Sequence, residues 1–318
     1  MPRALLTGAT GFIGAHLARR LADAGHELHL LVKPGSDRWR LDGLAGSLVH
    51  EAPAGAEADL VREIGPEWVF NLAAHGAYPS QQDVAQMWRT NVKLTVDLAR
   101  AALESGASAF VQAGSSSEYG FRQEPPAEDA APAPNSDYAV TKAAASLYCG
   151  YAGRQLGLPA VVLRLYSVYG PWEEPSRLVP TLLRRGIDGE LPQLVDPATA
   201  RDFVYVDDVA DAFIAAAEQA PQHPGAVYNV GSGIQTTVGE LVDRTRRLLS
   251  VRAEPHWGSM PARGWDTSSW VSDPRRIREE LGWVATTTLD EGLAATASWL
   301  RESAERLELY RQRASPRG

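Results

Sequence analysis

The first 32 residues constrain the fold more than any other stretch. A short apolar run, Ala4-Leu5-Leu6, leads into Gly8-Ala9-Thr10-Gly11-Phe12-Ile13-Gly14. An amphipathic segment follows with Ile13, Leu17 and Leu21 on one stripe, Gly25 closes it, and Glu27 to Val32 reads as a second strand. Glycines at 8, 11 and 14 let the backbone turn sharply between strand and helix. They also let it approach a pyrophosphate, whose charge sits at the helix N-terminus. The pattern predicts a dinucleotide site built from Gly8, Thr10, Gly11, Phe12, Ile13 and Gly14.

The end of the second strand selects the dinucleotide. An NAD site usually carries Asp or Glu there for the adenosine ribose hydroxyls. This chain reads Val32-Lys33-Pro34-Gly35-Ser36-Asp37-Arg38 instead. Lys33, Ser36 and Arg38 suit a 2′-phosphate through charge-assisted hydrogen bonds. NADP(H) is the preferred expectation, and Asp37 leaves NAD(H) possible.

Further along, a weakly marked strand is expected near Leu48–Val49, and a clear one at Trp68-Val69-Phe70-Asn71. The latter runs into Leu72-Ala73-Ala74-His75-Gly76, where small residues give a cofactor room across the strand end. A long helical region spans about Gln81 to Glu104 and contains Asn91. A buried strand, Ala109–Ala113, opens into Gly114-Ser115-Ser116-Ser117-Glu118-Tyr119-Gly120. Residues 124–137 read as a Pro/Glu/Asp-rich surface loop, a helix from Tyr138 ends near Gly157, and Ala160–Leu165 is another strand. Strands alternating with helices at this spacing imply a parallel sheet covered by helices on both faces.

Tyr138 and Lys142 lie four apart, on one face of that helix. An ammonium beside a phenol favours phenolate, so this pair predicts a tyrosine that passes protons near neutral pH. A net charge of −8 offers no basic excess for nucleic acid or an acidic membrane. The single cysteine, Cys149, excludes an internal disulfide and a multi-cysteine metal site; we expect a packing residue there and no metal. No secretory signal and no membrane-length apolar run are visible, which points to a cytoplasmic protein.

Taken together, these motifs resemble the extended short-chain dehydrogenase/reductase family of nucleotide-sugar epimerases, dehydratases and ketoreductases. The resemblance spans nearly the whole chain. Gly8, Gly11 and Gly14 match its cofactor loop and Asn71-Leu72-Ala73-Ala74 its fourth-strand motif. Ser115 falls at its catalytic Ser/Thr position, and Tyr138 and Lys142 match its Tyr-x-x-x-Lys. Arg164-Leu165-Tyr166-Ser167-Val168-Tyr169-Gly170-Pro171 and Arg201-Asp202-Phe203-Val204-Tyr205-Val206-Asp207-Asp208 match two substrate-side motifs, and Tyr228-Asn229-Val230-Gly231-Ser232-Gly233 a segment bordering the base.

The resemblance implies a Rossmann-like doubly wound α/β domain over residues 1–165 plus about 201–220. A smaller α/β nucleotide-sugar domain would comprise 166–200 and 221–318. It assigns catalysis to Ser115, Tyr138 and Lys142, and cofactor contacts also to Leu72, Ala73, Ala74 and Asn91. Substrate contacts fall to His75, Ser116, Ser117, Ser167, Arg201 and Tyr205, with Arg201 on the diphosphate. Tyr78 is a further candidate beside His75, and Trp257, Trp265 and Trp270 either stack on substrate or pack between domains. Relatives often pair as homodimers through the helix of Tyr138.

Departures narrow the reaction. Dehydratases resembling this family place an acid where this chain has Ser116 and Ser117, and Glu118 is one position off. The Ala-His-Gly-Ala-Tyr and Ser-Ser-Ser-Glu-Tyr-Gly stretches resemble abequose- and paratose-type reductases. The expectation is NADPH-dependent reduction of the C4 ketone of a nucleotide-linked 4-keto-6-deoxyhexose. The alternative is an NAD-dependent 4-epimerase.

Overall fold

The computed structural model describes residues 1–78, 80–260 and 267–314, so Trp265 lies outside the described residues. In chain order the elements begin with β1 (Arg3–Thr7), α1 (Phe12–Asp23), β2 (Glu27–Val32), β3 (Ser47–Glu51), α2 (Glu57–Ile64) and β4 (Trp68–Asn71). Next come α3 (Val84–Met87), a π-helical turn (Trp88–Lys93), α4 (Leu94–Glu104), β5 (Ala109–Ser115), α5 (Asp137–Leu156), β6 (Ala160–Leu165) and β7 (Ser167–Tyr169). The remainder is α6 (Leu178–Ile187), β8 (Ala200–Tyr205), α7 (Val206–Gln219), β9 (Ala226–Val230), β10 (Gln235–Thr237), α8 (Val238–Leu249), α9 (Arg275–Leu281), α10 (Leu289–Arg301) and α11 (Ala304–Ala314).

Seven strands form one parallel sheet in the order β3-β2-β1-β4-β5-β6-β9. The direction of winding reverses between β1 and β4, which opens a crevice at the carboxyl ends of those strands. Alternation along each strand feeds two cores. Leu6, Leu28, Leu30, Phe70 and Val111 pack with Leu17, Leu21 and Phe213 on one face. Leu5, Leu31, Val69, Phe110 and Val162 pack with Val61, Leu98 and Ala152 on the other. The fold is the doubly wound α/β architecture that the strand–helix alternation predicted.

A second, three-stranded sheet runs β10-β8-β7. With α6, α8, α10 and α11 it encloses a third core of Tyr169, Leu182, Leu183, Phe203, Leu241, Leu293 and Leu300. The Thr288/Glu291 capping box starts α10, with Glu291 N–H donating to Thr288 Oγ1 at 3.3 Å and Thr288 N–H to Glu291 Oε2 at 2.9 Å.

Three local differences from the sequence expectations have physical causes. The helix expected over 81–104 is interrupted by the π turn, which periodicity cannot show because one inserted residue leaves both halves amphipathic. Leu48 and Val49 form a strand, but at the sheet edge, where both are exposed. The acidic loop before α5 is tied down: Glu128 is buried and accepts from the Asn229 N–H at 2.9 Å.

Candidate active site

The site lies across the carboxyl ends of β1, β4 and β5. After β1 the chain turns at Gly8, which has φ +74°. A Cβ on Gly8 would sit 2.6 Å from the Leu72 carbonyl carbon, so the turn after β1 packs directly on the segment after β4. A Cβ on Gly14 would lie 2.2 Å from the Gly8 oxygen, and only glycine lets α1 start this close to the turn. Gly11 caps α1 with extended backbone, no side chain accepts from the first N–H groups, and no acidic residue stands in the first turn. An uncapped, carboxylate-free helix N-terminus beside a tight glycine turn fits a dinucleotide pyrophosphate.

A buried polar network fixes the segment after β4. Thr7 Oγ1 donates to Asn71 Oδ1 at 2.7 Å, and Asn71 Nδ2 donates to Thr95 Oγ1 at 2.9 Å and Gln112 Oε1 at 2.8 Å. The Ala73 N–H donates to Thr7 Oγ1 at 3.2 Å. Asn91, carried by the π turn, accepts from the His75 N–H and donates to the His75 carbonyl, each at 2.8 Å, and donates to Thr141 Oγ1 at 2.9 Å. Its side chain is thus engaged by protein, clamping Leu72-Ala73-Ala74-His75 against α5. Thr7, Thr95, Gln112 and Thr141 carry no motif signal and were missed by sequence reasoning.

Ser136 caps α5 by accepting from the Ala139 N–H at 3.2 Å, which sets Tyr138 in the first turn and Lys142 one turn on. The Ser115 side chain lies close enough to the Tyr138 phenol to act on its charge, and Ser115 Oγ lies 2.8 Å from Ser117 Oγ. Burial pushes the phenol up to about 12, only partly offset by the neighbouring Ser115. This reverses the simple expectation from the Tyr/Lys pair. Lys142 is buried, its Nζ donates to the Ala113 carbonyl, and desolvation lowers it to about 8. The phenol is therefore protonated at neutral pH.

Glu118 explains itself by its partners. It is fully buried, its Oε1 accepts from the Ser115 N–H at 2.8 Å and Ser146 Oγ at 2.9 Å, and its Oε2 pairs with Arg164 Nε at 2.9 Å. It orients the Ser115 backbone and has no free edge for substrate. Ser116 and Ser117 hold the neighbouring positions, so no carboxylate from this loop is aimed into the site.

Beyond the β5 loop, a small cleft is lined by Ser116, Tyr119, Arg122, Tyr166, Ser269 and Trp270. Trp270 Nε1 donates to Ser116 Oγ at 3.2 Å, and Arg201 lies 5.9 Å from the centre of the Trp270 ring while donating to the Ala200 carbonyl at 2.6 Å. The Tyr166 hydroxyl and His75 Nε2 are buried with no hydrogen-bond partner among the described residues, two polar atoms suited to ligand hydroxyls. Desolvation lowers the His75 pKa. Tyr78 and Arg177 stand close enough to Tyr138 to act on its charge, and Arg177 is a site residue without a motif to reveal it. Ser167 opens β7 and is partly exposed. Tyr205 differs from the expectation: it is buried with its ring 5.6 Å from Tyr169 in the third core, a packing position.

At the outer end of the crevice, Arg38 pairs with Glu51 and Ser36 Oγ donates to the Lys33 carbonyl at 2.7 Å. Lys33 is exposed and forms no ion pair among the described residues.

The sequence model of the NAD dependent epimerase/dehydratase family matches residues 4–231. The chain belongs to that family. It is 32% identical to a UDP-glucose 4-epimerase of Mycolicibacterium smegmatis, over 95% of this chain and all of the relative. It is 31% identical to a dTDP-glucose 4,6-dehydratase of Streptomyces griseus, over 93% of each. Among solved structures, MoeE5 in complex with UDP-glucose and NAD superposes with a TM-score of 0.81 at 33% identity, covering 94% of this chain and 99% of that one. The UDP-glucose 4-epimerase of Thermotoga maritima gives 0.84 at 28% identity, with the same coverage. As a member of the NAD dependent epimerase/dehydratase family the chain is an oxidoreductase-type enzyme of the nucleotide-sugar epimerase/dehydratase kind. No helix among the described residues is long and apolar enough to cross a membrane.

Proposed function

We propose that the protein reduces the C4 ketone of a nucleotide-linked 4-keto-6-deoxyhexose with NADPH. The observation that carries the reading is the placement of Tyr138 in the first turn of α5, beside Ser115 at the end of β5 and the cofactor crevice, where burial raises the phenol pKa and keeps it protonated. A reductase starts from a proton donor in this form. NADPH supplies the hydride, held at Gly8, Thr10, Gly11, Phe12, Ile13 and Gly14, with Leu72, Ala73 and Ala74 along its flank. Ser115 hydrogen-bonds the ketone oxygen, Tyr138 gives it a proton as charge develops, and Lys142 supplies positive charge to the tyrosinate left behind.

Lys33, Ser36 and Arg38 support NADPH over NADH, since a 2′-phosphate is met by cations at the end of β2. The unit built on the small sheet takes the nucleotide and sugar, with Arg201, Ser116, Ser167, His75 and Tyr166 as contacts. Elimination of water is disfavoured because Glu118 is spent on Arg164. A second reading, an NAD-dependent 4-epimerase, is supported by the 32% identity to the mycobacterial 4-epimerase.

Titration of the apo-protein with NADPH and NADH by nicotinamide fluorescence, with mass analysis of any cofactor released on denaturation, separates the two. The reductase requires tighter NADPH and no retained NAD, and Lys33→Ala with Arg38→Ala should bring the two affinities within about twofold. Retained NAD, with interconversion of 4-epimers and no net cofactor consumed, would establish the epimerase.

The same reading includes a homodimer. Val140, Leu147 and Tyr151 form one exposed apolar face of α5, with Val84 and Trp88 exposed nearby. Leu147→Glu with Tyr151→Glu should convert a dimer to a monomer in light scattering at micromolar concentration. A monomeric wild type would remove the proposal.

A further inference from the structure

Asp37 is the first carboxylate after the end of β2, and therefore the nearest in sequence to serve an unphosphorylated ribose. The structure commits it elsewhere. Its Oδ2 accepts from Arg313 Nη1 at 2.8 Å, and its Oδ1 accepts from the Trp39 N–H at 3.2 Å. Arg313 comes from α11, 276 residues along the chain. Its guanidinium lies 4.8 Å from the centre of the Trp39 ring, where Arg40 also stacks at 4.3 Å.

The helix is seated by contacts that do not involve Asp37. The Tyr310 hydroxyl donates to the Glu173 carbonyl at 2.8 Å, and its ring is 5.5 Å from Trp299 and 6.0 Å from Trp39. Arg306 stacks on Trp299 at 4.3 Å, and Arg311 pairs with Asp188 at 2.5 Å. Removing the Arg313 guanidinium leaves these anchors in place.

The charges of the β2–β3 loop then fall into a pattern. Arg38 is paired with Glu51, Arg40 with Glu174 and Asp37 with Arg313, while Lys33 has no ion pair among the described residues. A free Asp37 would do two things at once: accept from ribose hydroxyls and repel a 2′-phosphate dianion. Held by Arg313, it does neither.

We propose that Arg313 is a specificity-determining residue for the cofactor, acting from the far end of the chain by withholding Asp37 from the adenosine ribose. The proposal rests on the cofactor reading above, but its test is separable from it. The wild-type ratio of NADH to NADPH dissociation constants tests that reading. The change in the ratio on mutation tests Arg313.

In Arg313→Ala the ratio should fall about 5- to 10-fold, through both tighter NADH and weaker NADPH, since an uncompensated carboxylate close to the phosphate costs that order of affinity. Asp37→Asn in the same chain should restore the wild-type ratio, because the amide carries no charge. Affinities are read by nicotinamide fluorescence and the fold by thermal melting. A ratio unchanged within about twofold, or a parallel loss of both affinities without rescue by Asp37→Asn, would overturn the proposal. Should Arg313→Ala melt early, Arg313→Gln, which keeps a side-chain stem over Trp39, is read by the same criterion.

Discussion

Tyr138→Phe is expected to lower the rate of ketone reduction by about 10²–10⁴-fold, the range for losing a positioned general acid, while cofactor affinity stays within about twofold. The phenyl ring keeps the packing of the first turn of α5 and removes only the proton. Stopped-flow measurement of NADPH oxidation, with fluorescence titration of the same variant, separates the two effects. A variant retaining a tenth of the wild-type rate would show that the proton comes from elsewhere. The pH profile should match the same residues. The phenol, pushed up to about 12, stays protonated through neutrality, so the donor is present from pH 6 to 9. Lys142 carries its charge below about 8 and loses it above, so reduction should hold below that pH and decline as the ammonium empties.

Arg164→Met is the larger test of stability. It strands the Glu118 carboxylate in the interior, where breaking one half of a buried ion pair costs about 3–5 kcal/mol. For a chain of this size the melting temperature should drop by on the order of 10 °C. The pair with Glu118→Gln should recover part of the loss, because an amide needs no counter-ion. Turnover should suffer as well, since Glu118 Oε1 holds the Ser115 N–H. A melt within about 2 °C of wild type would show that water relieves the carboxylate.

Much of this was legible in the chain itself, and the reason is that the first unit is local. Gly8, Gly11 and Gly14 are glycines because of backbone contacts within a few residues or across one strand pair, and such constraints leave a readable spacing. The parallel sheet followed from the alternation of strands and helices. The partners were another matter. Arg177 acts on the charge of Tyr138 from a distant stretch of the chain, Arg313 reaches Asp37 from the last helix, and Thr7, Thr95 and Gln112 meet around Asn71 only once the sheet is formed. None of these pairings has a periodicity. Tyr205 shows the opposite error, where a motif position suggested substrate and the three-stranded sheet buried it in the core. The Lys142–Tyr138 pair was placed correctly on one helix, but spacing alone could not show that the Ala113 carbonyl would take the ammonium or that burial would outweigh it.

The π turn at Trp88–Lys93 has a consequence for how Asn91 may be altered. Bonding from i to i+5 accommodates one residue more than an α-helix would, so α3 and α4 are out of phase by about 100°. Asn91 sits inside that phase slip and turns inward to His75 and Thr141, while Trp88 three residues earlier faces outward. The aim of the clamp is therefore a property of the backbone winding. Deleting any one residue of 88–93 other than Asn91 would rewind the helix to regular pitch and rotate the amide off its target, even with every residue of the site left in place.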